Sequence, residues 1–172
     1  MKKVVVVILT LAVLSFPVEI LAATATAVIK GTKEGSELLG TANFKDTDEG
    51  LQAEISVSGA APGPHGIHIH ENGSCEDGGN AAGGHFNPDK AKHGFLLTDG
   101  FQAAHAGDLG NIDINPSGEG ALFIMIPGLT VSGGTYNIEG KSVILHEKKD
   151  DFGQPTGNAG GRVGCGIIKA SE

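Results

Sequence analysis

Leu51-Gln52-Ala53-Glu54-Ile55-Ser56-Val57 is apolar at every odd position and polar at every even one. Successive side chains of a strand point to opposite faces, so the stretch predicts a strand with one buried and one wetted face. Similar short runs are Ala27 to Lys30, Leu38 to Phe44, Ala121 to Ile126, Ser142 to His146 and Arg162 to Lys169. Turn signals separate them: Asp48-Glu49-Gly50, Asn115-Pro116-Ser117-Gly118, Ser132-Gly133-Gly134 and Glu139-Gly140. No long apolar pattern of helical period follows the N-terminal segment. Many short strands joined by regular turns predict an all-β antiparallel sandwich or barrel.

Two regions break this rhythm. Glu71 to about Gly110 is glycine-rich with little strand pattern, and Glu147 to Gly161 is a shorter stretch of the same kind. Irregular spans of such length inside a compact domain are usually functional. The side chains of chemical interest lie in or beside them, and no internal repeat, linker or second domain is visible.

Ahead of the strands, Lys2 and Lys3 precede an almost wholly apolar run from Val4 to Phe16, and Ala22, Ala23 and Ala25 offer small residues for cleavage. An apolar run of about 13 residues is short for a bilayer, so residues 1–23 are expected to be a cleaved signal peptide. No cysteine lies near the cleavage region, which argues against a lipid-anchored signal. Residues 24–172 would then form one domain large enough for a core of its own. Losing Lys2, Lys3 and Glu19 takes the formal charge from −8 to about −9. So acidic a chain is a poor partner for nucleic acid, and an anionic substrate would need a local positive site. Two cysteines in an exported chain, Cys75 and Cys165, suggest one disulfide, with two unpaired buried thiols as the alternative.

Gly66-Ile67-His68-Ile69-His70 places two imidazoles two residues apart. On a strand both reach the same face, while Ile67 and Ile69 turn to a core. His65 has the opposite parity and reads as a histidine bonded to nearby backbone. Within the long glycine-rich stretch, His85, His93, His105 and Asp108 make a complete tetrahedral set for zinc, leaving no position for water. His68, His70 and His146 would make a second, more open site. Imidazole without thiolate suits copper as well as zinc, so the ligand types alone do not choose the metal.

The segments HGIHIHENGSC, GGHFNP, KHG, HAGDLGN, VILHEKKDD and GNAGGRVGCGII resemble those of secreted, bacterial-type copper/zinc superoxide dismutases, in the family's order and over essentially the whole mature chain. The resemblance implies a Greek-key antiparallel barrel of about eight strands with two long loops over the metals. It implies copper on His68, His70, His85 and His146, and zinc on His85, His93, His105 and Asp108, with His85 shared as an imidazolate. Asp150 would link ligands of the two metals, Cys75 and Cys165 would form the family disulfide, and His65 would bind no metal. Arg162 would stand beside copper and orient superoxide, while His85 would exchange a proton during dismutation to dioxygen and hydrogen peroxide.

The segment Asp150 to Thr156 is short and lacks the charged insertion of the cytosolic pattern, leaving Lys90, Lys92, Lys148 and Lys149 as candidates for steering substrate. The zinc loop is enlarged between His93 and His105, from Gly94 to Ala104. The expected setting is periplasmic or secreted, with superoxide as substrate and no nucleic-acid or membrane partner after signal cleavage. Oligomeric state stays open, a homodimer being the assembly considered. Two other readings stand beside the enzyme: an exported copper carrier or zinc buffer on the same fold, and a structural sandwich with surface histidines.

Overall fold

The structure is a computed structural model and describes residues 22–171. The expected signal segment, 1–23, lies outside the described residues apart from its last two.

Eight strands close on themselves: β1 (Thr24–Gly31), β2 (Leu39–Thr47), β3 (Gly50–Ser58), β4 (Gly63–His70), β5 (Asp108–Ile114), β6 (Gly120–Ile126), β7 (Ser142–His146) and β8 (Arg162–Ile167). The order around the barrel is β2-β3-β6-β5-β4-β7-β8-β1, and a β1–β2 ladder completes the ring. A two-residue strand, β9 (Lys169–Ala170), adds to β1. All strand pairings are antiparallel. Two seams are thin: β5 meets β6 at Ile114 and Gly120, and β1 meets β8 at Lys30–Cys165 and Gly31–Gly164. The barrel therefore divides into two four-stranded halves, and the β3–β4 and β6–β7 connections cross between them in Greek-key fashion.

The alternating stretch behaves as its pattern predicts. Leu51, Ala53, Ile55 and Val57 are buried in the barrel, while Glu54 and Ser56 face water. Each fully buried aliphatic side chain contributes about 1.5–3 kcal/mol. β4 and β7 differ, because both faces are covered over most of β4 and all of β7. Ile67, Ile69, Val143 and Leu145 enter the main core, and Ile144 packs in a separate cluster with Ala82 and Cys165. His68 and His70 occupy the other face of β4, buried beneath the loops.

The long β4–β5 connection contains a short 3-10 helix (Asp77–Ala82) and one helical turn, α1 (Leu96–Asp99). It ends sooner than the sequence suggested. Asp108 is the first residue of β5 rather than part of the loop, because Gly110 and Asn111 hide the strand's apolar alternation. Among the described residues, no helix is long and apolar enough to cross a membrane. The Cys75–Cys165 disulfide ties the loop to β8 with 5.7 Å between Cα atoms. A bridge closing a loop of this size contributes about 4.5 kcal/mol in the chain-entropy model.

Gly107 shows how closely the loop is stitched to β4. Ile69 N–H donates to Gly107 O at 2.9 Å, Gly107 N–H to Phe86 O at 2.9 Å, and Phe86 N–H to Ile69 O at 2.8 Å. A Cβ on Gly107 would collide with the Ile69 carbonyl oxygen, which is backbone and cannot swing aside. Gly107→Ala is expected to lower stability by about 1–3 kcal/mol in denaturant unfolding. A wild-type midpoint would contradict this account of the loop.

Candidate metal centre

Three antiparallel pairings set functional side chains opposite one another: His68 with Asp108, His146 with Arg162, and His70 with His85. The first two lie at register shifts, between Gly66 and His68 in the β4–β5 ladder and between Leu145 and His146 in the β7–β8 ladder. Such irregularities re-aim side chains without breaking the sheet, and here they occur at site residues.

Among the described residues three groups of possible ligands result: His68, His93 and Asp150 form one, and two larger groups hold four residues each. In one, single ligand atoms of His68, His70, His85 and His146 all lie within 4.8 Å of one another; in the other, those of His85, His93, His105 and Asp108 do. Every member is buried, and His85 belongs to both groups. His65 belongs to neither. Its two ring nitrogens lie 2.7 Å from His146 O and 2.8 Å from Ala61 O.

The nitrogens that face away from the first group are occupied. His70 Nδ1 donates to Gly83 O at 3.0 Å, His146 Nδ1 to Gly160 O at 3.3 Å, and His68 Nε2 meets Asp150 Oδ2 at 2.7 Å. His68 Nδ1 is buried without a partner, and the Nε2 atoms of His70 and His146 face each other at 3.4 Å. Burial of an unpartnered nitrogen is costly, and a cation among these lone pairs removes the cost.

In the second group Asp108 Oδ1 lies 2.7 Å from His85 Nδ1 and 3.1 Å from His105 Nδ1, which are 3.3 Å apart. His93 Nδ1 stands 2.9 Å from Asp108 Oδ2 without hydrogen-bond alignment, so both atoms aim at shared space. Zinc bonds of about 2.0–2.1 Å imply tetrahedral edges of roughly 3.3 Å. The donor set fits that ion after small expansion.

Charge is distributed unevenly between the groups. Burial lowers the pKa of His70 to about 2 and that of His146 to about 3, helped respectively by the nearby His85 and His68, and Arg162 acts the same way on both. Burial also brings His85 down to about 4, against its hydrogen bond to Asp108. For His93 burial opposes the charge, yet hydrogen bonds to Asp108 and Asp150 outweigh it and raise the pKa to about 9. Burial pushes both carboxyls up, but the imidazoles around Asp108 and Asp150 hold each well below the usual range.

Asp150 connects the groups. Beyond its bond to His68, both of its oxygens lie 3.0 Å from His93 Nε2. Asn111 holds it in place, accepting Asp150 N–H at 2.7 Å and donating Nδ2 to Asp150 O at 3.0 Å. Asn111 was not among the residues predicted from sequence, although it sits within HAGDLGN; an asparagine on a strand has no chemical signature of its own. Arg162 is braced by the 3-10 helix and the loop after it, donating Nη1 to Gly79 O and Nη2 to Gly83 O, both at 2.6 Å. These bonds leave other guanidinium N–H groups for a small anion.

Comparisons with known proteins agree with this geometry. The copper/zinc superoxide dismutase family matches residues 38–168. Similar relatives include an extracellular copper/zinc superoxide dismutase of Caenorhabditis elegans, 43% identical over 80% of this chain; the match spans 63% of that longer protein. Copper/zinc superoxide dismutase 5 of Dictyostelium discoideum is 40% identical over 86% of this chain and 98% of its own length. An extracellular copper/zinc superoxide dismutase of Haemonchus contortus is 36% identical, over 82% and 80% respectively. Among solved structures, the crystal structure of the clock protein EA4 superposes with a TM-score of 0.75 at 32% identity, covering 90% of this chain and 99% of that one. The fold, the two histidine groups and this extent of match together place the chain in the copper/zinc superoxide dismutase family, enzymes that use copper and zinc and act on superoxide.

Proposed function

We propose that His68, His70, His85 and His146 hold copper, that His85, His93, His105 and Asp108 hold zinc, and that the pair dismutes superoxide to dioxygen and hydrogen peroxide. The observation that carries this reading is His85, a buried imidazole belonging to both groups, whose Nδ1 faces Asp108 and His105. Bound copper would supply the one-electron chemistry, accepting an electron from one superoxide and returning it to the next.

The chain's own groups do the rest. Arg162, braced by two carbonyls, presents its remaining donors and its charge to the anion. Its charge helps lower the pKa of both His70 and His146, which supports placing it beside the copper group. His85 would carry a proton at Nε2 when that nitrogen is not engaged by copper and pass it to the reduced substrate, water supplying the second proton, while its Nδ1 side faces Asp108. Two superoxides and two protons thus give one dioxygen and one hydrogen peroxide. Asp150 and Asn111 keep His68 and His93 oriented.

Full burial of the ligand histidines counters a structural sandwich with surface histidines. A copper carrier or zinc buffer would not need Arg162 braced toward the copper group. The disulfide and the relatives named extracellular support export, to the periplasm or beyond, with residues 1–23 removed and 24–172 as the mature domain. That the mature chain has no nucleic-acid or membrane partner remains our reading, and a homodimer is the assembly that light scattering tests.

Copper and zinc loading followed by a superoxide assay tests the activity directly. One copper and one zinc per chain without activity would overturn it. Arg162→Ala should lower activity by at least about 10-fold, in the direction expected when a fixed donor to an anion is lost, with both metals still bound by elemental analysis.

Proton release offers an independent check. A metal ligand must be deprotonated to bind. His93, with its pKa raised to about 9, is expected to carry a second ring proton in the metal-free chain at pH 7.5, whereas His70, His85 and His146 are neutral with one N–H each. Zinc binding should release about one proton, from His93, and copper binding none from His70 or His146 but about one from His85, whose neutral ring must lose its remaining N–H to hold both metals. Calorimetry in buffers of different ionisation enthalpy measures both values. In the metal-free chain the raised His93 contributes stability that is lost as pH rises through about 9. The lowered histidines contribute stability that is lost as pH falls below the unfolded value of 6.5 toward about 4 and beyond.

A further inference from the structure

The segment after Asp150 lacks a charged insertion, and its residues converge on one zinc-loop histidine. His93 lies between β4 and β5, and among the described residues its main-chain N–H and C=O make no backbone hydrogen bond. Both are taken up by one side chain. Gln154 Oε1 accepts His93 N–H at 3.2 Å, and Gln154 Nε2 donates to His93 O at 2.7 Å. A primary amide can donate and accept at once, which a carboxylate or a hydrocarbon of the same length cannot do.

The neighbours of Gln154 brace it. Phe152 adopts a left-handed backbone conformation (φ 60°), and its N–H donates to Asp150 Oδ1 at 2.8 Å. Its ring lies near-parallel to His93, 6.5 Å between centroids and 20° between planes, and 5.7 Å from Phe95. Gly157 N–H closes the turn onto Gly153 O at 2.7 Å, and Asp151 N–H donates to Gly157 O at 2.9 Å. His93 is thus held at its ring edge by Asp150, along its ring face by Phe152 and at its main chain by Gln154.

We infer that Gln154 is a positioning residue for zinc, holding the His93 main chain so that Nδ1 stays aimed at the ion, and that zinc retention depends on it while copper retention does not. None of the copper-group histidines bonds to Gln154. The inference rests on the assignment of His93 to zinc made above.

The test uses the copper- and zinc-loaded protein and two substitutions. Gln154→Met keeps length and volume but removes both hydrogen bonds; Gln154→Glu keeps the acceptor and loses the donor. Zinc release is followed with a colour-forming chelator, copper release with a copper-selective one, and the copper geometry by its visible absorption band. Gln154→Met should release zinc about 10-fold faster, the low end of the effect of removing a group that orients a metal ligand. Gln154→Glu should fall between, with copper release and the visible band unchanged. Zinc release at the wild-type rate would overturn the inference. So would faster release of both metals by the same factor, the signature of general loosening. A wild-type chain that takes up no zinc would overturn the metal assignment itself, which separates that failure from this one.

Discussion

Two carboxylates buried among imidazoles, Asp108 and Asp150, are the constraint on which the site depends. Each is fully shielded from water, and an ionised carboxylate in that position is tolerable only with several charge-assisted hydrogen bonds. Asp108 draws in His85, His93, His105 and two backbone N–H groups, those of Gly94 and His105. Asp150 draws in His68 and His93. Satisfying the two acids brings residues from β4, β5 and both loops together. The same arrangement leaves His68 Nδ1 buried without a hydrogen-bond partner.

The barrel makes this economical. Its halves are strongly laddered internally and thinly joined at two seams, so the long loops project from a rigid support rather than forming part of it. The disulfide and Arg162 act on the same piece of loop. Cys75 is covalently fixed to β8 next to the 3-10 helix, and Gly79 and Gly83 accept bonds from the guanidinium. Gly83 O also receives His70 Nδ1. One carbonyl thereby holds both the His70 imidazole and the Arg162 guanidinium, and the bridge that steadies the loop steadies both.

Legibility in the sequence followed how local each signal was. The β3 strand could be read outright because its alternation reflects one buried face and one wet face. β5 could not, since Gly110 sits at φ 88° against the Phe95 ring and Asn111 serves Asp150 rather than the core. The pair His68 and His70 was legible from strand parity, and His65 stood apart for the same reason. The division into two ligand groups could be drawn from order and spacing. Asn111 and Gln154 left no trace, because an amide's role is decided by what stands opposite it.

Periodicity and residue chemistry by themselves determined an antiparallel β architecture, two irregular loops and a set of histidines and an aspartate suited to metals. These depend on neighbours along the chain, where side-chain direction repeats every second residue. Only the tertiary structure decided which nitrogen of each imidazole remains free, that His85 faces both groups, and that the pKa of His93 is raised while that of His70 is lowered. Those properties arise from burial and from partners distant in sequence, such as Asp150 for His68 and Gln154 for His93. A chain read in one dimension carries no record of them.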